Sequence, residues 1–83
     1  MIVKRVRATA KRGRRIEAVQ LIKEAGMFSR ISMTVEGNKD VIVIDFEYTD
    51  MADYAAKVYD DEPPAGWYEV TTAVESEILR VVY

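Results

Sequence analysis

Hydrophobic and polar positions alternate most clearly in D-V-I-V-I-D-F-E-Y, Asp40 to Tyr48, which has the two-residue period of a β-strand. Both of its faces are oily: Ile42, Ile44 and Phe46 on one, Val41 and Val43 on the other. Ile2 to Thr9 has the same period, with Ile2, Val6 and Ala8 opposed to Val3, Arg5 and Arg7. Ser29 to Glu36 sets Ile31, Met33 and Val35 against Arg30, Ser32 and Thr34, and Gly37-Asn38 supplies a tight hairpin into the next strand. Ile78 to Tyr83 is predicted as the last strand.

Between the strands the period changes. Ala18, Leu21, Ile22 and Ala25 recur at i, i+3, i+4 and i+7, an amphipathic helix stopped by Gly26. Asp50 is a good N-cap for a second helix, with Asp53 three residues on as a capping box and Met51, Tyr54, Ala55 and Val58 as its buried stripe. D-D-E-P-P ends it, because proline can neither donate to a helix nor leave the preceding residue helical. After Pro64 the pattern divides: Trp67, Val70, Thr71 and Val74 sit at helical spacing, yet W-Y-E-V-T-T-A-V is rich in β-formers. Residues 64–76 are read as a short helix, with the extended alternative open.

The resulting order, β-α-β-β-α-(α)-β, is that of a ferredoxin-like α+β sandwich, one domain over residues 1–83. This topology puts the first strand beside the third in a four-stranded antiparallel sheet with helices on one side. Sorted by parity, Ile2, Val6, Ala8, Ile31, Met33, Val35, Ile42, Ile44, Phe46, Leu79 and Val81 form the face toward the helices. The other face combines Val3, Val41, Val43, Ile78 and Val82 with Arg5, Arg7, Arg30, Arg80, Asp45 and Glu47. A face with that much exposed oil marks an interface. Its expected cover is a second copy packed sheet to sheet, with Val3, Val41, Val43, Ile78 and Val82 at the dimer contact and Asp45 and Glu47 across from Arg5 and Arg7.

Composition narrows the chemistry. The chain has 83 residues, 49% hydrophobic and 31% charged, with neither cysteine nor histidine. That excludes disulfides, thiolate zinc sites, thiol nucleophiles and the usual neutral-pH acid/base and haem ligand. No cofactor and no metal site are expected. The apolar runs are too short to span a bilayer, and M-I-V-K-R lacks a signal-peptide core, so a cytoplasmic protein without membrane partners is expected.

Seven of the twelve bases lie within Lys4 to Arg15 and all fourteen acids follow from Glu17, with net charge −2. Segregation of this kind can mark a phosphate or nucleic-acid patch. A pI near 5.1 argues against nucleic acid and for a solvated end balanced by acids elsewhere. The bases ahead of the first helix oppose its dipole and are expected to answer an acidic neighbour or a ligand.

Three stretches carry a resemblance: M-I-V-K-R-V-R-A-T-A-K-R-G-R-R-I-E-A, V-I-V-I-D-F-E-Y-T-D-M-A-D-Y and P-A-G-W-Y-E-V-T-T-A-V-E-S-E-I-L-R-V-V-Y. They resemble the strands and helices of the dimeric α+β barrel superfamily, in particular its short NIPSNAP-like and antibiotic-biosynthesis-monooxygenase-like members. The resemblance implies a homodimer, and a cleft between sheet and helices, or a barrel interior, that takes a small organic ligand. Haem degradation in that superfamily generally needs a histidine that is absent here. A cofactor-independent oxygenase or isomerase stays open, as does a non-catalytic interaction module.

Each candidate residue has a structural competitor. Arg5, Arg7, Arg30 and Arg80 could collect a carboxylate or phosphate, but pairing with Asp45 and Glu47 is the preferred reading. Either carboxylate would act as a base only if burial outweighed those arginines. Trp67, Tyr54 and Tyr59 could line an aromatic pocket or simply belong to the core. Asp60-Asp61-Glu62 reads as a solvated acidic run rather than a cation site, and Gly13 in K-R-G-R-R lacks the phosphate-loop pattern.

Overall fold

In the computed structural model, which describes residues 1–26, 28–57 and 62–82, the chain runs β1 (Ile2–Ala10), α1 (Arg15–Ala25), β2 (Arg30–Met33), β3 (Val41–Tyr48), α2 (Met51–Lys57), α3 (Trp67–Val70) and β4 (Thr71–Arg80). The strands form a four-stranded sheet in the order β2-β3-β1-β4, each pair antiparallel. This is the ferredoxin-like α+β arrangement, with β1 beside β3 as the sequence predicts.

The core explains why all helices share one face. Antiparallel partners opposite one another point the same way. Ala8 pairs with Ile42 and Val6 with Ile44, so these side chains form one patch, on which Ala18 and Ile22 of α1 and Trp67 and Val70 of α3 pack. Ala8, Ala18 and Ile42 are fully buried. Small residues at Ala8 and Ala18 let helix and sheet approach closely, while Ile42 and Ile44 fill the space between.

Helix α1 ends as its sequence dictates. Gly26 adopts φ 71°, the left-handed region where a side chain would be strained, and its N–H returns to the Ile22 carbonyl at 3.1 Å. The bases before it are answered locally. Arg14 forks onto Glu17 at 2.8 Å through both Nε and Nη2, and Arg15 donates to the Lys39 carbonyl. Glu17 thereby holds Arg14 more firmly protonated and is itself held below the usual carboxylate range.

Helix α2 is capped as predicted but scarcely buried. The Asp53 N–H donates to Asp50 Oδ1 at 2.8 Å, and Asp53 Oδ2 accepts from the Thr49 N–H and hydroxyl at 2.9 and 3.0 Å. The expected stripe of Met51, Tyr54, Ala55 and Val58 does not form a buried face. Met51 and Ala55 are exposed, Tyr54 is half-buried, and Val58 lies outside the described residues. The helix meets the sheet through Tyr54, whose ring stands edge-on to Tyr48 at 5.2 Å.

The last third of the chain corrects the sequence reading most. The helix beginning at Trp67 lasts one turn, and the strand expected from Ile78 starts at Thr71. Backbone pairing decides this. Edge strand β4 pairs with central β1 from Thr71 opposite Ala10 to Arg80 opposite Ile2, a ladder that outweighs the helical spacing of Val70, Thr71 and Val74. Thr71 marks the junction, its hydroxyl donating to the Trp67 carbonyl at 2.9 Å.

That early start also inverts the assigned faces of β4. Leu79 pairs with Val3 and so lies on the face opposite α1 and α3, whereas Ile78 pairs with Lys4 and Arg80 with Ile2 on the helix face. Val81 and Val82 lie beyond the strand, Val82 being 89% exposed. Strand β2 is likewise shorter than expected. It leaves the sheet after Met33, and Val35 is 84% exposed in the loop that turns at Gly37.

Candidate functional site

Where helices and sheet part company, they leave an open cleft of about 200 Å3. Its floor is the helix face of the three strands β3, β1 and β4: Ile44 and Phe46, Lys4 and Val6, Val74 and Ser76. One wall is the C-terminal half of α1, through Ile22 and Ala25. The other is the segment Glu62–Tyr68, in which Pro63, Pro64 and Trp67 present rings to the space.

The local sequence builds this wall. Pro64 leads into the tight turn at Gly66, and α3 starts at once, with Trp67 N–H donating to the Pro64 carbonyl at 3.1 Å. The indole of Trp67 is 4% exposed, part core and part cleft wall, while Tyr68 projects outward at 72%. The lining is mainly hydrocarbon. Lys4, Glu62, Tyr68 and Ser76 are its polar side chains.

Of the residues proposed from sequence, Trp67 lies in this cleft. Tyr54 instead packs on Tyr48 of β3, and Tyr59, Asp60 and Asp61 lie outside the described residues. Arg5, Arg7, Arg30, Asp45 and Glu47 occupy the opposite face of the sheet. Arg80 is on the helix face at the far end of β4. No group of acidic side chains suited to holding a metal ion occurs among the described residues.

The opposite face has its own order. The register sets Arg30 opposite Asp45, Asp45 opposite Arg5 and Arg5 opposite Glu77, one row of alternating charge across all four strands. Arg5 and Asp45 form a fork, Nε to Oδ1 at 2.9 Å and Nη2 to Oδ2 at 3.2 Å. Hydrogen bonding to Asp45 first, and its charge second, hold the guanidinium even more firmly protonated than usual. Arg7, expected to meet Glu47, is opposite Val43 and Glu75, and Glu47 is opposite Val3. The expected pairing placed Arg7 four residues from the partner that the antiparallel register allows. Glu75 falls in the segment 64–76 that the sequence pattern assigns to a helix, and Glu77 falls between that segment and the strand expected from Ile78.

Lys4 is the cleft residue that the sequence reading passed over. It shares the parity of Ile2, Val6 and Ala8 on a central strand, a place where a lysine is rare. That break in an otherwise apolar face was the available signal. Ser76 and Val74 carried no such signal while their segment was read as helix.

No protein-family model and no curated protein matches the chain. Solved structures do. An uncharacterized NIPSNAP domain protein from Burkholderia xenovorans superposes with a TM-score of 0.79 at 15% identity, over 99% of this chain and 95% of that one. A structural-genomics protein from Agrobacterium tumefaciens superposes with a TM-score of 0.69 at 14% identity, over 96% of this chain and 92% of that one. The likeness is one of fold. At these identities side chains diverge freely while the β-α-β-β-α-β path is retained. No helix among the described residues is long and apolar enough to cross a membrane.

Proposed function

We propose that the protein is a small homodimeric binding protein that takes a small organic molecule in the cleft between its sheet and helices. The observation that carries this reading is the cleft itself, an apolar concavity with an indole and two proline rings in its wall and a few convergent polar groups. Binding is the reading because the lining is mainly hydrocarbon, as a site that holds an apolar body requires.

The dimer is supported by the uncovered face of the sheet. It carries no helix among the described residues, and presents Val41, Val43 and Leu79 around the Arg5–Asp45 fork. Covering those side chains at about 25 cal/mol per Å2 is worth several kcal/mol to a domain of this size.

Native mass spectrometry of freshly purified protein tests both statements together, reading a dimer mass and any retained small molecule. Trp67, the single tryptophan, gives the second readout. Its fluorescence responds to occupancy of the cleft. A monomer at micromolar concentration would remove the dimer, and an indole indifferent to a panel of small aromatic and aliphatic molecules would remove the binding site.

A further inference from the structure

We propose that the molecule bound in this cleft is a small monoanion with an apolar body, an aryl-alkyl carboxylate in chemical class, and that Lys4 takes its charge. The inference rests on the cleft being the binding site and adds the chemistry of its occupant. Lys4 stands on the central strand in the cleft floor, between Phe46 and Ile78 in register, and is half-buried. It makes no ion pair or hydrogen bond with a described residue; the salt bridges there are Arg5–Asp45, Arg14–Glu17 and Lys57–Asp53. A half-buried lysine in the floor, without a partner among the described residues, gives an entering anion a charge-assisted hydrogen bond.

The remaining groups suit the same ligand. Ser76, diagonal to Lys4 across β1 and β4, carries a hydroxyl able to donate to a carboxylate oxygen. Trp67, Phe46 and Ile44 surround the rest of the volume with hydrocarbon. A dry cavity of roughly 150 Å3 holds a benzene ring, so about 200 Å3 takes a ring with a short arm. Glu62 at the exposed rim repels each negative charge a ligand brings, so one charge, answered by Lys4, is favoured over two.

Three probes of nearly one shape separate charge from shape: phenylacetate, phenylacetamide and phenethylamine, titrated by Trp67 fluorescence and calorimetry into the wild type, Lys4→Met and Lys4→Arg. Phenylacetate is expected to bind the wild type about tenfold or more tighter than the amide, the scale of a hydrogen bond to a charged group. Added salt should narrow that ratio. Lys4→Met should abolish the preference of the acid over the amide, and Lys4→Arg should restore part of it. If the amide binds the wild type as well as the acid, if the amine binds best, or if the preference survives in Lys4→Met, the anion assignment is overturned and the cleft remains a binding site. If none of the three probes perturbs Trp67, the cleft reading and this inference fall together.

Discussion

Arg5 and Asp45 face each other across β1 and β3, their side chains joined by two parallel hydrogen bonds of 2.9 and 3.2 Å on the side of the sheet opposite α1 and α3. The carboxylate is largely shielded, at 10% side-chain exposure, and the guanidinium about a third exposed. The pair therefore contributes more than an ordinary surface ion pair and less than a buried one. Arg5→Ala and Asp45→Ala should each cost about 1–2 kcal/mol in urea unfolding. The double variant should cost clearly less than the sum, because removing both partners leaves no carboxylate stranded. Arg5→Lys should recover only part of the loss, since an ammonium cannot form the fork. Additive losses in the cycle would show that the fork contributes nothing to folding.

Neighbouring residues of β3 should have opposite phenotypes. Ile44 is 1% exposed in the helix-side core, and Val43 is half-buried on the uncovered face. Ile44→Ala should cost about 2–5 kcal/mol, and Ile44→Asp should leave no cooperative unfolding transition. Val43→Asp should keep the monomer's circular dichroism and convert a dimer to a monomer in light scattering. A dimer that tolerates Val43→Asp unchanged would place the contact elsewhere.

Trp67 joins core to cleft, so truncation should be read in two ways. Trp67→Ala should cost about 3–5 kcal/mol. Trp67→Phe should retain the fold and change ligand affinity, measured by calorimetry. Equal affinity in Trp67→Phe and the wild type would show that the indole serves the core alone.

Asp53 sets an acid limit on α2. Hydrogen bonds from Lys57 first, then from the Thr49 N–H and hydroxyl, pull its carboxyl down to about 2 from an ordinary 3.8. A carboxyl whose affinity for protons is lower folded than unfolded stabilises the fold above its ordinary value, and that contribution is lost as pH falls toward 2. The side-chain carbon resonance of Asp53 should titrate near 2 in the wild type and closer to the ordinary value in a Lys57→Met, Thr49→Val variant. The Tyr54 contact with Tyr48 should loosen over the same interval. A midpoint near 3.8 in the wild type would show that the cap is not formed in solution.

How much of this was legible beforehand varied along the chain. The alternation in β1 and β3, the helical spacing of Ala18 and Ile22, Gly26 and the Asp50–Asp53 cap are local signals, and local signals act within one or two turns of their own position. They were enough for the element order and the ferredoxin-like sheet. Trp67 to Ser76 was ambiguous because helix and strand propensities nearly cancel there, and the cleft's Val74 and Ser76 were hidden with it. Lys4 was visible as a charge but not as a floor residue.

The sequence by itself determined the order of elements, the helix-facing set Val6, Ala8, Ile42 and Ile44, and the absence of cysteine and histidine chemistry, because each follows from residue type and short-range period. Only the tertiary structure decided that β4 begins at Thr71, that Ile78 and Leu79 exchange faces, and that Arg7 stands opposite Val43 and Glu75 rather than Glu47. The reason is register. In an antiparallel sheet the partner of a residue is set by hydrogen bonds to a strand tens of residues away, and a slip of one position moves every side chain to the other face.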